Sequence, residues 1–157
     1  MIHYSLRAVD DSDYPFLTEL YISTRWQEMQ QAPWTDSQRR QFLQQQFAAQ
    51  TEHYRIHHPD ASRQIIVVNH QPAGRLYLDN SDHEIRIVDI ALLPQFCGQG
   101  IGGKILKTIL ETGDQAHKAV SIHVEKNNPA LNLYQRLGFQ QQKDVGVYWF
   151  MSRLPQD

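Results

Sequence analysis

The apolar patterning of this chain predicts one α/β domain, helices flanking a mixed sheet, in the order β-α-α-β-β-β-α-β-α-β-β. Three observations carry that expectation. Two stretches of helical periodicity follow one short N-terminal strand. β-branched segments separated by turn residues fill the middle. A strong strand, a glycine-rich segment and an amphipathic helix then follow one another directly. A length of 157 residues suits a single hydrophobic core, so one domain is expected over 1–157.

Residues 2–7 set Ile2, Tyr4 and Leu6 against His3, Ser5 and Arg7, the alternation of a half-buried strand. Asp10, Asp11, Ser12 and Asp13 supply capping residues and negative charge for a helix that runs to about Met29, with Phe16, Leu17, Leu20 and Tyr21 at helical spacing. Ala32-Pro33-Trp34 breaks it. Thr35 or Asp36 caps a second, glutamine-rich helix to about Tyr54, and His57-His58-Pro59 is read as a loop. Ile65–Val68 and Ala73–Asp79 form a hairpin around Asn69–Pro72, and Glu84–Leu93 is the longest apolar strand, stopped by Pro94. Ile101, Ile105, Leu106, Ile109 and Leu110 mark an amphipathic helix to about His117. A strand over 120–124, a short helix over 129–137 ended by Gly138, and two strands closing around Asp144 complete the order.

Composition narrows the function classes. A formal charge of -2 gives no basic field for nucleic acid. Cys97 is the sole cysteine, so neither an internal disulfide nor a cysteine metal cage can form, which fits a reducing compartment. No apolar run approaches the roughly 20 residues of a membrane-spanning helix, and the N-terminus lacks the layout of a signal peptide. A cytoplasmic protein without membrane association is expected. His53, His57 and His58 lack a carboxylate or cysteine at diagnostic spacing, so no metal site is expected.

Cys97-Gly98-Gln99-Gly100-Ile101-Gly102-Gly103 lies between the strongest strand and the strongest helix. A helix N-terminus presents unpaired N–H groups and partial positive charge, which attract phosphate, and glycine lets the backbone approach closely. A plain connecting turn would also suit these residues. So would a dinucleotide fingerprint, since Gly98-x-Gly100-x-x-Gly103 is followed by Glu125. The segment follows the fourth strand rather than the first, however, and too little chain remains for two mononucleotide-binding halves.

Ile90-Ala91-Leu92-Leu93-Pro94, then Gly98-Gln99-Gly100-Ile101-Gly102, then Asn128-Pro129-Ala130 with Leu133–Phe139 resemble the Gcn5-related N-acetyltransferase (GNAT) superfamily. The resemblance implies a mostly antiparallel central sheet with a splay between its fourth and fifth strands. It also implies acetyl-CoA as acyl donor, with its pantetheine arm in the splay. Backbone groups around Leu92 would bond that arm, and the amides of Cys97, Gly98, Gln99, Gly100, Ile101, Gly102 and Gly103 would hold the pyrophosphate. Asn128 would contact the cofactor and Tyr134 would face the sulfur. Cys97 departs from the Arg or Gln usual at the head of the family's loop, which makes the phosphate grip a backbone affair. Its reading as a ping-pong nucleophile would need an activating neighbour, and only the helix N-terminus is in view.

Acyl transfer to an amine needs the amine deprotonated, the carbonyl oxygen stabilised and the departing thiolate protonated. Tyr134 is the candidate proton donor; the alternative is a core tyrosine on an amphipathic helix. Asp89 interrupts an apolar strand, either as catalytic carboxylate or as a structural ion pair. Arg25 and Glu28 line an acceptor pocket or stand on a solvated helix face. Glu84, Arg86, Glu125 and His123 are weaker candidates. The reading is therefore an N-acetyltransferase acting on a primary amine of a small molecule or peptide by direct attack. The alternative is a non-catalytic CoA-binding sensor or interaction module. A homodimer is compatible with either.

Overall fold

The computed structural model describes residues 3–157. Its strands are β1 (Tyr4–Ala8), β2 (Ser62–Val68), β3 (Gln71–Asn80), β4 (Glu84–Leu92), β5 (Ala119–Glu125), β6 (Gln140–Val145) and β7 (Tyr148–Arg153). Its helices are α1 (Tyr14–Met29), α2 (Asp36–His57), α3 (Ile101–Ala116) and α4 (Leu131–Arg136). The strands form one sheet in the order β1-β2-β3-β4-β5-β7-β6, antiparallel throughout except for the parallel pair β4–β5.

Strand alternation divides the core into two layers. Ile66, wholly buried, faces the α3 side with Leu76, Ile87, Ile105 and Ile109, whereas its neighbour Ile65 faces α1 and α2 with Leu17, Tyr21, Leu43 and Phe47. Both faces of the sheet are thus covered, and each buried isoleucine contributes about 1.5–3 kcal/mol by leaving water.

Local chemistry sets the helix entries. Asp10 accepts from the Ser12 N–H, and buried Asp13 accepts from the Asp10 N–H while pairing with Arg7 at 2.7 Å. Thr35 and Gln38 form a reciprocal capping box at the start of α2. Arg39, one turn in, donates to the carbonyls of Met29 and Ala32 at 2.9 Å each, fixing the α1–α2 corner.

Three expectations are corrected. α2 continues through His57, because the His58 N–H still finds the Tyr54 carbonyl at 2.8 Å. The last hairpin turns at Gly146 and Val147, where Gly146 adopts φ +68°, while Asp144 lies inside β6 opposite Trp149. β1 is exposed beyond Tyr4, with Leu6 at 37%, since it is an edge strand; Ile2 lies outside the described residues. Among the described residues no helix is long and apolar enough to cross a membrane.

Candidate active site

The site begins at an irregularity in β4. Tyr77 and Leu78 of β3 pair with Asp89 and Ile87, so Val88 is an unpaired extra residue. A bulge bends its strand and sharpens the twist. Here it coincides with loss of the other partner: β4 pairs with β5 only as far as Ile87–Ile122, yet stays paired with β3 out to Gly74–Leu92. β5 turns instead to β7, pairing through Glu125–Tyr148. The expected splay between the fourth and fifth strands is present. Over Val88–Leu92 the β5-facing edge of β4 carries backbone groups with no strand partner, and such groups seek a ligand or water.

The splay widens into a cleft of about 630 Å³, whose walls include Ala91, Leu92, Asn128 and Tyr134. Beyond Leu92 the chain passes Pro94–Phe96 as a short 3-10 turn and reaches the glycines. Gly98 and Gly100 hold φ of +75° and +82°, in the left-handed region that favours glycine, and Gly100 is the N-cap of α3. No side chain caps α3 and its first turn has no acidic residue. Its first intrahelical bond is Lys104 N–H to the Gly100 carbonyl at 3.1 Å. The preceding N–H groups of Ile101, Gly102 and Gly103 therefore face outward without helical acceptors. Gln99 donates to the Gln95 carbonyl at 2.8 Å and steadies the loop. Cys97 turns its Sγ toward the Leu93 carbonyl at 3.5 Å, and burial pushes its thiol above the ordinary range. That shift is opposite to the one an activated nucleophile needs.

Tyr134 stands on α4, almost buried at 5% exposure, with its ring edge-to-face on Phe139 at 5.7 Å. Burial first, and the Asp89 charge second, push its phenol up to about 12. It stays protonated at neutral pH. Asn128 spends its side-chain oxygen on the Ala130 N–H at 2.8 Å, leaving the amide NH2 for the cleft.

Asp89 follows the bulge, and its Oδ2 accepts from Tyr54 Oη at 2.8 Å and from the Arg75 guanidinium at 2.6 Å. Arg75 is 3% exposed, donates also to Gln50 at 2.7 Å, and lies over the rings of Tyr77 and Phe47 at 5.2 and 5.7 Å. Its Nε is buried without a partner. Burial and the adjacent Asp89 carboxylate drive the Tyr54 phenol far above its usual range, so it too stays protonated. Asp89 is thus ion-paired and also part of the cleft wall. Residue choice along the chain did not single out Arg75, Gln50 or Tyr54. A signal existed, because Arg75 is a charge inside the apolar run of β3, two residues from Tyr77 and so on the face where Asp89 pairs.

Arg25 and Glu28 do meet at the cleft, 3.3 Å apart. Arg25 also reaches Glu125 at the end of β5, at 2.5 Å. Burial opposes the charge on Arg25, but the hydrogen bond and charge of Glu125 outweigh it and hold its pKa above normal. Glu125 is more than a solvated strand end. The pair also borders a second chamber of about 610 Å³ under Val147 and Tyr148, to which the Lys126 N–H ties the hairpin through the Val147 carbonyl. The other candidates lie elsewhere: His123 packs on Phe150, Arg86 bonds Ser121 and Glu84, and His58 pairs with Asp79.

Known proteins share this architecture. The PaiA N-acetyltransferase of Thermoplasma acidophilum, solved in complex with coenzyme A, superposes with TM-score 0.71 over 97% of this chain and 99% of its own, at 14% identity. A GNAT family acetyltransferase of Elizabethkingia anophelis, solved with acetyl-CoA bound, gives 0.62 over 96% and 97%, at 15% identity. An N-alpha-acetyltransferase of Sulfurisphaera tokodaii is 33% identical over 66 residues, 40% of either chain, so the similarity spans less than half of that relative. The model of the acetyltransferase (GNAT) family matches residues 18–139, covering the splay, the glycine segment and Tyr134. With its bulged fourth strand and open α3 N-terminus, this chain belongs to the GNAT family of acetyltransferases.

Proposed function

We propose that the chain is a single-domain enzyme that transfers an acetyl group from acetyl-CoA to a primary amine by direct attack, without a covalent enzyme intermediate. One observation carries the reading: a protonated, nearly buried tyrosine stands in the same cleft as an unpaired strand edge that leads to an open helix N-terminus. A linear amide-bearing arm matches the free edge of Val88–Leu92, and a pyrophosphate matches the outward N–H groups of Ile101–Gly103. Acetyl-CoA supplies the activated acetyl thioester.

The chain's own residues divide the remaining work. A backbone N–H near Leu92 polarises the thioester carbonyl. Asp89, with Oδ2 committed to Tyr54 and Arg75, offers Oδ1 to orient the incoming amine. As the N–C bond forms and the C–S bond breaks, the amine proton passes to solvent and Tyr134 protonates the departing sulfur. Solvent then reprotonates Tyr134. The Asn128 amide NH2 steadies the cofactor, and Arg25 with Glu28 walls the acceptor side.

Thiol release from acetyl-CoA, followed across an amine panel with CoA binding measured in parallel by thermal shift, tests this reading. At least one amine should raise thiol release above the blank. Tight CoA binding with no productive amine would instead make the chain a CoA-binding module, and no CoA binding would remove the cofactor assignment as well.

A further inference from the structure

We infer that the acceptor is a zwitterion, an amine bearing its own carboxylate as a free amino acid does, with Arg25 taking the carboxylate and Glu125 the ammonium. This rests on the acyl-transfer reading above and names the substrate class of the same cleft.

The Arg25–Glu125 pair has an unusual setting. It bridges α1 and the end of β5, and both residues border both chambers. The two side chains are 28% and 24% exposed, so they face cavity rather than core. Among the described residues, the charged side chains around the two chambers are Arg25, Arg75 and Lys126 against Glu28, Asp89 and Glu125, three of each sign. Most are committed. Arg75 and Asp89 hold each other with side chains 4% and 13% exposed, and Lys126 is held by Asp144 at 2.6 Å and by the Trp149 ring at 4.5 Å. The exchangeable pair is Arg25–Glu125, with Glu28 at the longer 3.3 Å and 55% exposed.

Separating that pair strands a partly desolvated charge unless the ligand replaces both partners. A simple cation inserted at Glu125 leaves Arg25 to the solvated Glu28, and an acid alone leaves Glu125 without a cation. An amino-carboxylate replaces each partner by a group of the same sign and keeps the three-to-three balance. The planar guanidinium also suits a carboxylate better than an ammonium would, because it can donate two parallel bonds. Glu125, which lines the same cleft as Tyr134 and Asp89, passes one ammonium proton to solvent, and the neutral amine so formed, oriented by Asp89, attacks the thioester.

The test compares kcat/KM for protein amino acids, for their amides and for the corresponding decarboxylated amines and diamines, with acetyl-CoA saturating. The best amino acid should exceed its own amide by tenfold or more. Arg25→Met should cut the amino-acid value more than tenfold and bring that ratio close to one, and Arg25→Lys, which keeps charge but not the fork, should fall between. The paired exchange Arg25→Glu with Glu125→Arg should restore the melting temperature but not the preference, which separates recognition from stability. Amides or diamines acetylated as well as the amino acids by the wild type would overturn the inference and leave acyl transfer standing. Failure of every amine would overturn the acyl-transfer reading itself.

Discussion

From Val88 to Leu92 the cleft is walled by consecutive backbone that runs on into the glycine loop and the start of α3, whereas the rest of its wall is made by side chains gathered from distant parts of the chain. On the first side the devices are a bulge, an unpaired strand edge, two positive-φ glycines and an uncapped helix. All of them act through main-chain groups, and none needs a charged residue. On the second side Arg75 meets Asp89 from another strand, and Arg25 meets Glu125 from beyond three intervening strands. A backbone site tolerates changes of side chain and suits a ligand part that never varies. A side-chain site can be rewritten one residue at a time, which suits a variable acceptor.

That contrast can be broken most forcefully at Arg75. Arg75→Met leaves Asp89 unpaired, and breaking a buried pair costs about 3–5 kcal/mol; the remaining 13% exposure of Asp89 points to the low end. Urea unfolding should show a lower midpoint at unchanged slope. Adding Asp89→Asn to Arg75→Met should recover much of the loss, and a double variant less stable than the single would contradict the ion-pair account. Gly100→Ala comes next. Its Cβ would meet nothing within 4 Å, so the cost is conformational, φ +82° for a residue with a side chain. That is about 1–2 kcal/mol, and it should appear as roughly tenfold weaker CoA binding by calorimetry with little change in preference among acceptors. The smallest effect is expected from Cys97→Arg. A cation placed at the head of the loop should tighten CoA binding a few-fold at low salt, at the scale of one partly exposed helix-terminus charge; weaker binding would contradict the placement of the phosphate.

The same contrast explains what the sequence disclosed. Strand ends, the glycine segment and the amphipathic α3 are written in neighbouring residues, so periodicity and turn chemistry locate them. The register of the resemblance then placed the splay and Tyr134. Glu125 looked like an ordinary solvated strand end because its partner lies in α1, and Tyr54 looked like one more residue on a glutamine-rich helix because its partner lies 35 positions away. Asp89 showed itself only as an anomaly in an apolar strand, and Arg75, an equal anomaly, completes it in space. The final turn moved from Asp144 to Gly146 because strand pairing with β7 extends β6 to Val145. Side-chain networks of this kind are set by tertiary packing, which single-chain patterning does not encode locally.

The Tyr134 phenol tests the central claim most directly. With its pKa pushed up to about 12, the protonated donor is present below the ordinary tyrosine range and is lost only as pH rises toward that value, so kcat should show no alkaline fall up to pH 10. Tyr134→Phe, measured with saturating acetyl-CoA and the best acceptor, should lower kcat by about 10²-fold or more while KM for acetyl-CoA stays nearly unchanged. An unchanged kcat in that variant would contradict the proton-donor role and the direct transfer built on it.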